Sequence, residues 1–204
     1  MLRGQQITKV CDNATYIKVN SIVMNQCDQQ DNGEKLFNFC EDVISRFIKH
    51  ECLTKMAMKT GQQLVETYVQ VWKNYLLFSR LLDKMFEYLN RYYLKNQSMK
   101  FLGVVCLSRY NELLFKPIKV QLREALLALI SKSRNGEVVD KNVMRLCIQS
   151  FVDQGMQLAK PVNDGKEVRW VGDKNLALYE EEFESHFLQR TKAEYEAKAR
   201  IWST

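Results

Sequence analysis

Glycine and proline are scarce, 8 and 2 among 204 residues. An all-β chain of this length needs many tight turns, which draw on those two residue types, so the scarcity argues against sandwiches and barrels and favours long helices. Long apolar runs are missing as well: none approaches the roughly 18–20 residues that a membrane span requires. The opening MLRGQQITKV lacks the apolar centre of a signal peptide. A soluble, intracellular protein is the expectation. Blocks of like charge are also absent. The 30 Lys and Arg and 24 Asp and Glu are scattered, giving a formal charge of +6, a balance that permits an acidic partner without requiring one.

Groups for catalysis are few. Two histidines, His50 and His186, fall in opposite halves of the chain. No Gly-x-Ser-x-Gly elbow, phosphate-cradling glycine loop or His-Glu-x-x-His helix occurs. His50 and Cys52 are two residues apart, so on a helix they point in different directions. No catalytic residue, metal ligand or cofactor is implied. The six cysteines, Cys11, Cys27, Cys40, Cys52, Cys106 and Cys147, are too dispersed for a zinc knuckle and too few for a disulfide scaffold, and read as reduced core residues. The acidic run YEEEFESHF reads as a solvated helix face with acids in its first turns.

What is present is helical periodicity. Tyr16, Val19, Val23 and Cys27 form one stripe of a short helix that Asp12 or Asn13 can cap, with Ile17, Asn20 and Met24 on its other side. DNG at residues 31–33 opens a second helix carrying Leu36, Cys40, Val43 and Phe47. From Leu64, the positions Tyr68, Trp72, Tyr75, Phe78, Leu82, Met85, Leu89 and Tyr92 step by three or four. This predicts one helix of about thirty residues, some 45 Å long, which admits a bend near residues 77–80 although no proline forces one. A further helix runs to Pro117, which stops it and begins the next. Gly136 is placed to end that helix, Asp140 restarts the pattern, and Gly155 closes it. Residues 157–175 form the one long irregular loop, mobile or folded as a small hairpin around EVRWV. The fold class expected is all-α.

The stretch FEYLNRYY, residues 86–93, concentrates aromatics beside Arg91, Lys95 and Lys100. Burial along the long helix accounts for most of them. The alternative is a base-stacking, nucleic-acid-binding surface over residues 88–100.

Read together, YVQVWKNY, FEYLNRYY, LFKPIKVQLREALLALISKSRNGEVVD and YEEEFESHFLQRT resemble the N-terminal region of the cullins, scaffold subunits of cullin-RING ubiquitin ligases. YIKVNSIVMNQC and the loop before Tyr179 resemble the cullin type that binds a Skp-family adaptor carrying an F-box protein. The resemblance implies an elongated α-solenoid of stacked helical bundles. Residues 1–116 would form a first, adaptor-binding repeat, and residues 117–204 would start a second, incomplete one, leaving an apolar surface near the C-terminus. It implies a non-catalytic scaffold fragment, located in cytoplasm and nucleus, that holds the adaptor and positions substrates for ubiquitination. The RING subunit would be reached only through a C-terminal region absent here. The implied adaptor contacts are Tyr16, Ile17, Val19, Asn20, Val23 and Met24 in the second helix of the repeat, and Met99, Leu102, Gly103, Cys106 and Arg109 in the fifth. About half of these face their own bundle, with Val19 and Val23 assigned to core and Tyr16 and Ile17 to contact. Asn20 stands where the family commonly has an aromatic, which points to lower affinity or an altered choice of adaptor.

Overall fold

The computed structural model of the chain describes residues 12–28, 32–156, 159–163, 168–172 and 176–202; Cys11 lies outside them. Helix α1 (Asn13–Cys27) starts where Asp12 caps it: the carboxylate accepts the N–H and the hydroxyl of Thr15, both at 2.8 Å. Helix α2 (Asn32–Phe47) runs through a wide π turn, Ile48–Leu53, into α3 (Thr54–Met56). Its buried residues Phe37, Cys40 and Ile44 continue into Ile48 at helical spacing.

Helix α4 (Gly61–Met85) buries Leu64, Tyr68, Trp72, Tyr75 and Leu82, as the spacing predicts. It runs unbroken through residues 77–80. It ends at Phe86, whose φ of −105° and ψ of 27° leave the helical region, and a π turn follows over Leu89–Leu94. The break rotates the register. Leu89 and Leu94 are therefore fully buried, while Tyr92, expected on the inner stripe, is 56% exposed.

Helix α5 (Leu102–Tyr110) passes through the π turn Asn111–Phe115 into α6 (Lys116–Arg134). Pro117 stops nothing: Lys116 keeps helical angles, φ −53° and ψ −45°. The wide turn just before the proline has already left the i→i+4 pattern in which its missing N–H would be felt. Gly136, at φ +87°, follows the end of α6 in the left-handed conformation. Asp140 then accepts the N–H groups of Asn142 (2.8 Å) and Val143 (3.1 Å) and opens α7 (Lys141–Met156).

Within residues 157–175, β1 (Ala159–Asn163) pairs antiparallel with β2 (Val168–Gly172), Pro161 opposite Trp170. A proline is tolerated because both strands of a two-stranded ribbon are edges. Helix α8 (Ala177–Tyr179), a π turn over Glu180–Glu184 and α9 (Ser185–Trp202) complete the described chain.

α4 is the central element, packed against α5, α6 and α7. Aromatic rings join the parts: Tyr75 and Trp72 meet Tyr110 at 4.5 and 4.9 Å, Phe115 meets Phe151 at 5.1 Å, and Phe151 meets Phe183 at 5.6 Å. The core therefore continues across residue 116, where the helical run is unbroken. A buried hydrogen bond from the Asn111 amide to Gln154 Oε1, 3.0 Å, reinforces the junction. Of the acidic run, Glu181 is exposed, whereas Glu182 pairs with Lys119 and Arg123 and ties the π turn to α6. Glu194 is hydrogen-bonded by Ser131 and by Arg134, whose guanidinium also lies over Phe187. Leu188, Tyr195 and Ile201 of α9 are more than half exposed.

Candidate docking surface

On α1 the structure separates anchor from display. Val23 is buried, Val19 and Cys27 pack against the core, and Tyr16 and Asn20 are half-buried. Ile17 and Met24 are 63% and 43% exposed. Seven residues apart, they fall on one strip of the helix, with Asn20 beside it. Ile22, also exposed, stands on the opposite flank. The Asn20 amide nitrogen is buried with no hydrogen-bond partner among the described residues. A burial of that kind costs free energy unless something else supplies an acceptor.

The candidates on α5 are placed differently. Leu102 and Cys106 are fully buried, and the Cys106 carbonyl accepts the Tyr75 hydroxyl at 2.6 Å, so neither side chain is available to a docking protein. The reason is register: Leu102, Val105, Cys106 and Tyr110 make the inward arc of the helix. Met99 is partly buried against the core. Gly103 sits over Asp83, where a Cβ would lie 3.1 Å from the carboxylate. Arg109 is paired with Glu41 (3.1 Å) and Glu112 (3.3 Å). Toward solvent α5 shows Val104 and Leu107, half-buried, with Phe101, 42% exposed, at its N-terminus.

Sequence reasoning passed over two residues that hold α5 in place. Phe101 occupies the N-cap position without a side-chain cap of its own. The N–H groups of Leu102 and Gly103 donate instead to Asn90 Oδ1 (3.0 Å) and Asp83 Oδ1 (2.9 Å). The signal that could have revealed this is a helix start lacking Ser, Thr, Asp or Asn, which obliges the cap to come from elsewhere in the fold.

Among the described residues no reactive centre forms around this surface. His50 is exposed in the first π turn, His186 lies on α9, and no group of three metal-ligating side chains occurs among the described residues. Burial pushes the thiols of Cys40, Cys52 and Cys106 up to about 12, the opposite of what a thiolate nucleophile requires. In the FEYLNRYY stretch, Arg91 is held by Glu87, Tyr88 donates to Asp28 Oδ1 at 2.8 Å and packs on Tyr92 at 4.3 Å, and the Tyr93 ring covers Gly33. Those contacts give the basic and aromatic side chains internal roles. No helix among the described residues is long and apolar enough to cross a membrane.

Stacked helical bundles with a continuous core define an α-solenoid. Residues 4–204 match the family described as the Cullin alpha solenoid domain. The chain belongs to the cullin family. It is 29% identical over 195 residues to putative cullin-like protein 1 of Arabidopsis thaliana, covering 94% of this chain and 25% of that protein. It is 26% identical over 195 residues to cullin-2 of the same plant, covering 94% and 24%. To cullin-1 of Oryza sativa subsp. japonica it is 26% identical over 144 residues, covering 69% and 19%. The chain thus spans a quarter or less of the length of these relatives.

Proposed function

We propose that this chain is a non-catalytic scaffold segment of a cullin-RING ubiquitin ligase, and that α1 holds a Skp-type adaptor carrying an F-box substrate receptor. The observation that carries the reading is the exposed Ile17–Met24 strip on a helix whose opposite edge is anchored through Val23. A helix pinned on one side and apolar on the other presents a preorganised surface, which lowers the ordering cost of association. Tyr16 and Asn20 flank the strip and would complete the contact.

The work such a segment does is geometric. A stiff helical stack fixes the distance between receptor and conjugating enzyme and raises the effective concentration of a substrate lysine near the reacting thioester. The RING subunit would bind a part of the ligase outside this chain. Cytoplasm and nucleus, where such ligases meet their substrates, are the compartments that fit, and imaging of a fluorescent fusion checks this.

Binding to a purified Skp-type adaptor–F-box complex, measured by calorimetry, tests the reading. Tyr16→Ala combined with Ile17→Ala is expected to weaken binding about tenfold or more with unchanged helical circular dichroism. Unaltered affinity would remove α1 from the interface. A gel-shift titration at two salt concentrations tests the nucleic-acid reading, for which affinity falls steeply with salt.

A further inference from the structure

Five polar side chains lie inside the junction of α4, α5 and α7: Tyr68 of α4, Tyr110 and Asn111 where α5 enters its π turn, and Ser150 and Gln154 of α7. Each is 2% exposed or less. Aromatic rings wall them in, with Phe115 standing 6.4 Å from the Tyr68 ring and 5.1 Å from Phe151. On α7, Cys147, Ser150, Phe151 and Gln154 are buried together on one inward arc, so two polar residues occupy a face that packing alone would fill with hydrocarbon. Polar groups in such a place cost free energy unless each finds a hydrogen bond.

Only part of this need is met within the chain. The Asn111 amide donates to Gln154 Oε1 at 3.0 Å, and Ser150 Oγ donates to the Cys147 carbonyl at 2.6 Å. Tyr75, also fully buried, gives its hydroxyl proton to the Cys106 carbonyl. The hydroxyls of Tyr68 and Tyr110 and the amide nitrogen of Gln154 have no hydrogen-bond partner among the described residues. Burial pushes both tyrosine hydroxyls well above their ordinary range, so each stays protonated and keeps an O–H to donate. Ser150 and Tyr110 act against that shift at Tyr68. The three hydroxyls are therefore near neighbours, although no hydrogen bond of normal length and angle joins the other two to Tyr68. Ser150 Oγ has committed its own proton to Cys147 and retains lone pairs that can accept.

We propose that the junction of α4, α5 and α7 binds a buried water molecule, held between the hydroxyls of Tyr68, Tyr110 and Ser150. The water accepts the protons of the two tyrosines and donates one of its own to Ser150 Oγ, which gives it the two to four polar partners that buried waters have. An ion is a poor occupant, because none of the five polar side chains carries a charge to offset its desolvation. The ring contacts around the site are non-directional, whereas hydrogen bonds through the water are directional. The water thus fixes the rotation of α7 against α4 and α5. This role does not depend on which protein α1 holds.

Two measurements on the intact chain test the proposal. A crystal structure at a resolution that shows ordered water should hold a density peak within about 3.2 Å of both the Tyr68 hydroxyl oxygen and Ser150 Oγ. Direct contact of the Tyr68 oxygen with that of Ser150 or Tyr110 at about 2.7 Å, with no peak between them, overturns it. In solution, Tyr68→Phe removes one arm of the site with little change of shape, and the urea midpoint should fall by about 0.5 M. A midpoint that stays or rises overturns the proposal, because deleting a buried hydroxyl that never had a partner relieves the fold. Tyr110→Phe should lower the midpoint as well, and the double variant should lose less than the two single losses combined. Strict additivity would show that the two hydroxyls share no ligand and would overturn it too.

Discussion

The side-chain oxygen of Asn90 accepts the backbone N–H of Leu102 at 3.0 Å, so a residue from the turn after α4 starts helix α5 from outside its own sequence. The same side chain donates to Asp83 Oδ1 at 2.9 Å, and that oxygen takes the N–H of Gly103. The end of α4, the π turn and the start of α5 are thereby tied to one another.

Replacing Asn90 with Ala leaves the buried Leu102 N–H without its acceptor. The expected loss is about 1–3 kcal/mol of stability, read as a lower urea midpoint at unchanged slope. A shift below about 0.5 kcal/mol would mean that the N–H finds another acceptor and that the bracket is not the cap.

Gly33 is buried under Tyr93. A Cβ placed there would come within 2.3 Å of Tyr93 Cδ2 and 2.6 Å of Cγ, near the root of the ring, which has little room to swing away. Gly33→Ala is expected to destabilise the fold by about 1–3 kcal/mol through overpacking. Adding Tyr93→Leu should recover part of that loss, and strict additivity of the two substitutions in thermal unfolding would place the strain elsewhere.

The buried thiols give stability a direction with pH. Burial pushes Cys40, Cys52 and Cys106 up to about 12, from the ordinary thiol value of 9.0. Between these values the folded chain binds more protons than the unfolded one, so stability falls as pH rises. The contribution is fully present below pH about 9 and is lost as pH climbs toward about 12. The melting temperature measured at pH 8, 9.5 and 10.5 should therefore fall more steeply in this chain than in a variant with all three cysteines replaced by Ala. Equal slopes would show that the lysines and tyrosines account for the alkaline loss.

Much of this was legible along the chain. Asp12 caps α1 and Asp140 caps α7 as their positions before helical patterns suggest, and the Leu64–Leu82 stripe faces the core because a period near 3.6 admits one buried face. The resemblance to cullins, carried by ordered motifs, agrees with the match over residues 4–204. The break at Phe86 went unmarked in the sequence because neither glycine nor proline signals it. Tyr92 was assigned inward by counting through that break, and Leu102 and Cys106 were assigned outward because the register of a short helix after an irregular joint cannot be counted from its neighbours. Phe101, Val104 and Leu107, which do face solvent, carry no local mark that separates them from core residues.

Sequence by itself determined the helices, their caps and their apolar faces, since these follow from spacings within a few turns of one chain segment. Only the tertiary structure decided which face of α5 is covered and where Asn90 and Asp83 spend their hydrogen bonds. Each of those is a distance between residues far apart in the chain, and periodicity holds no information about distance until the helices pack.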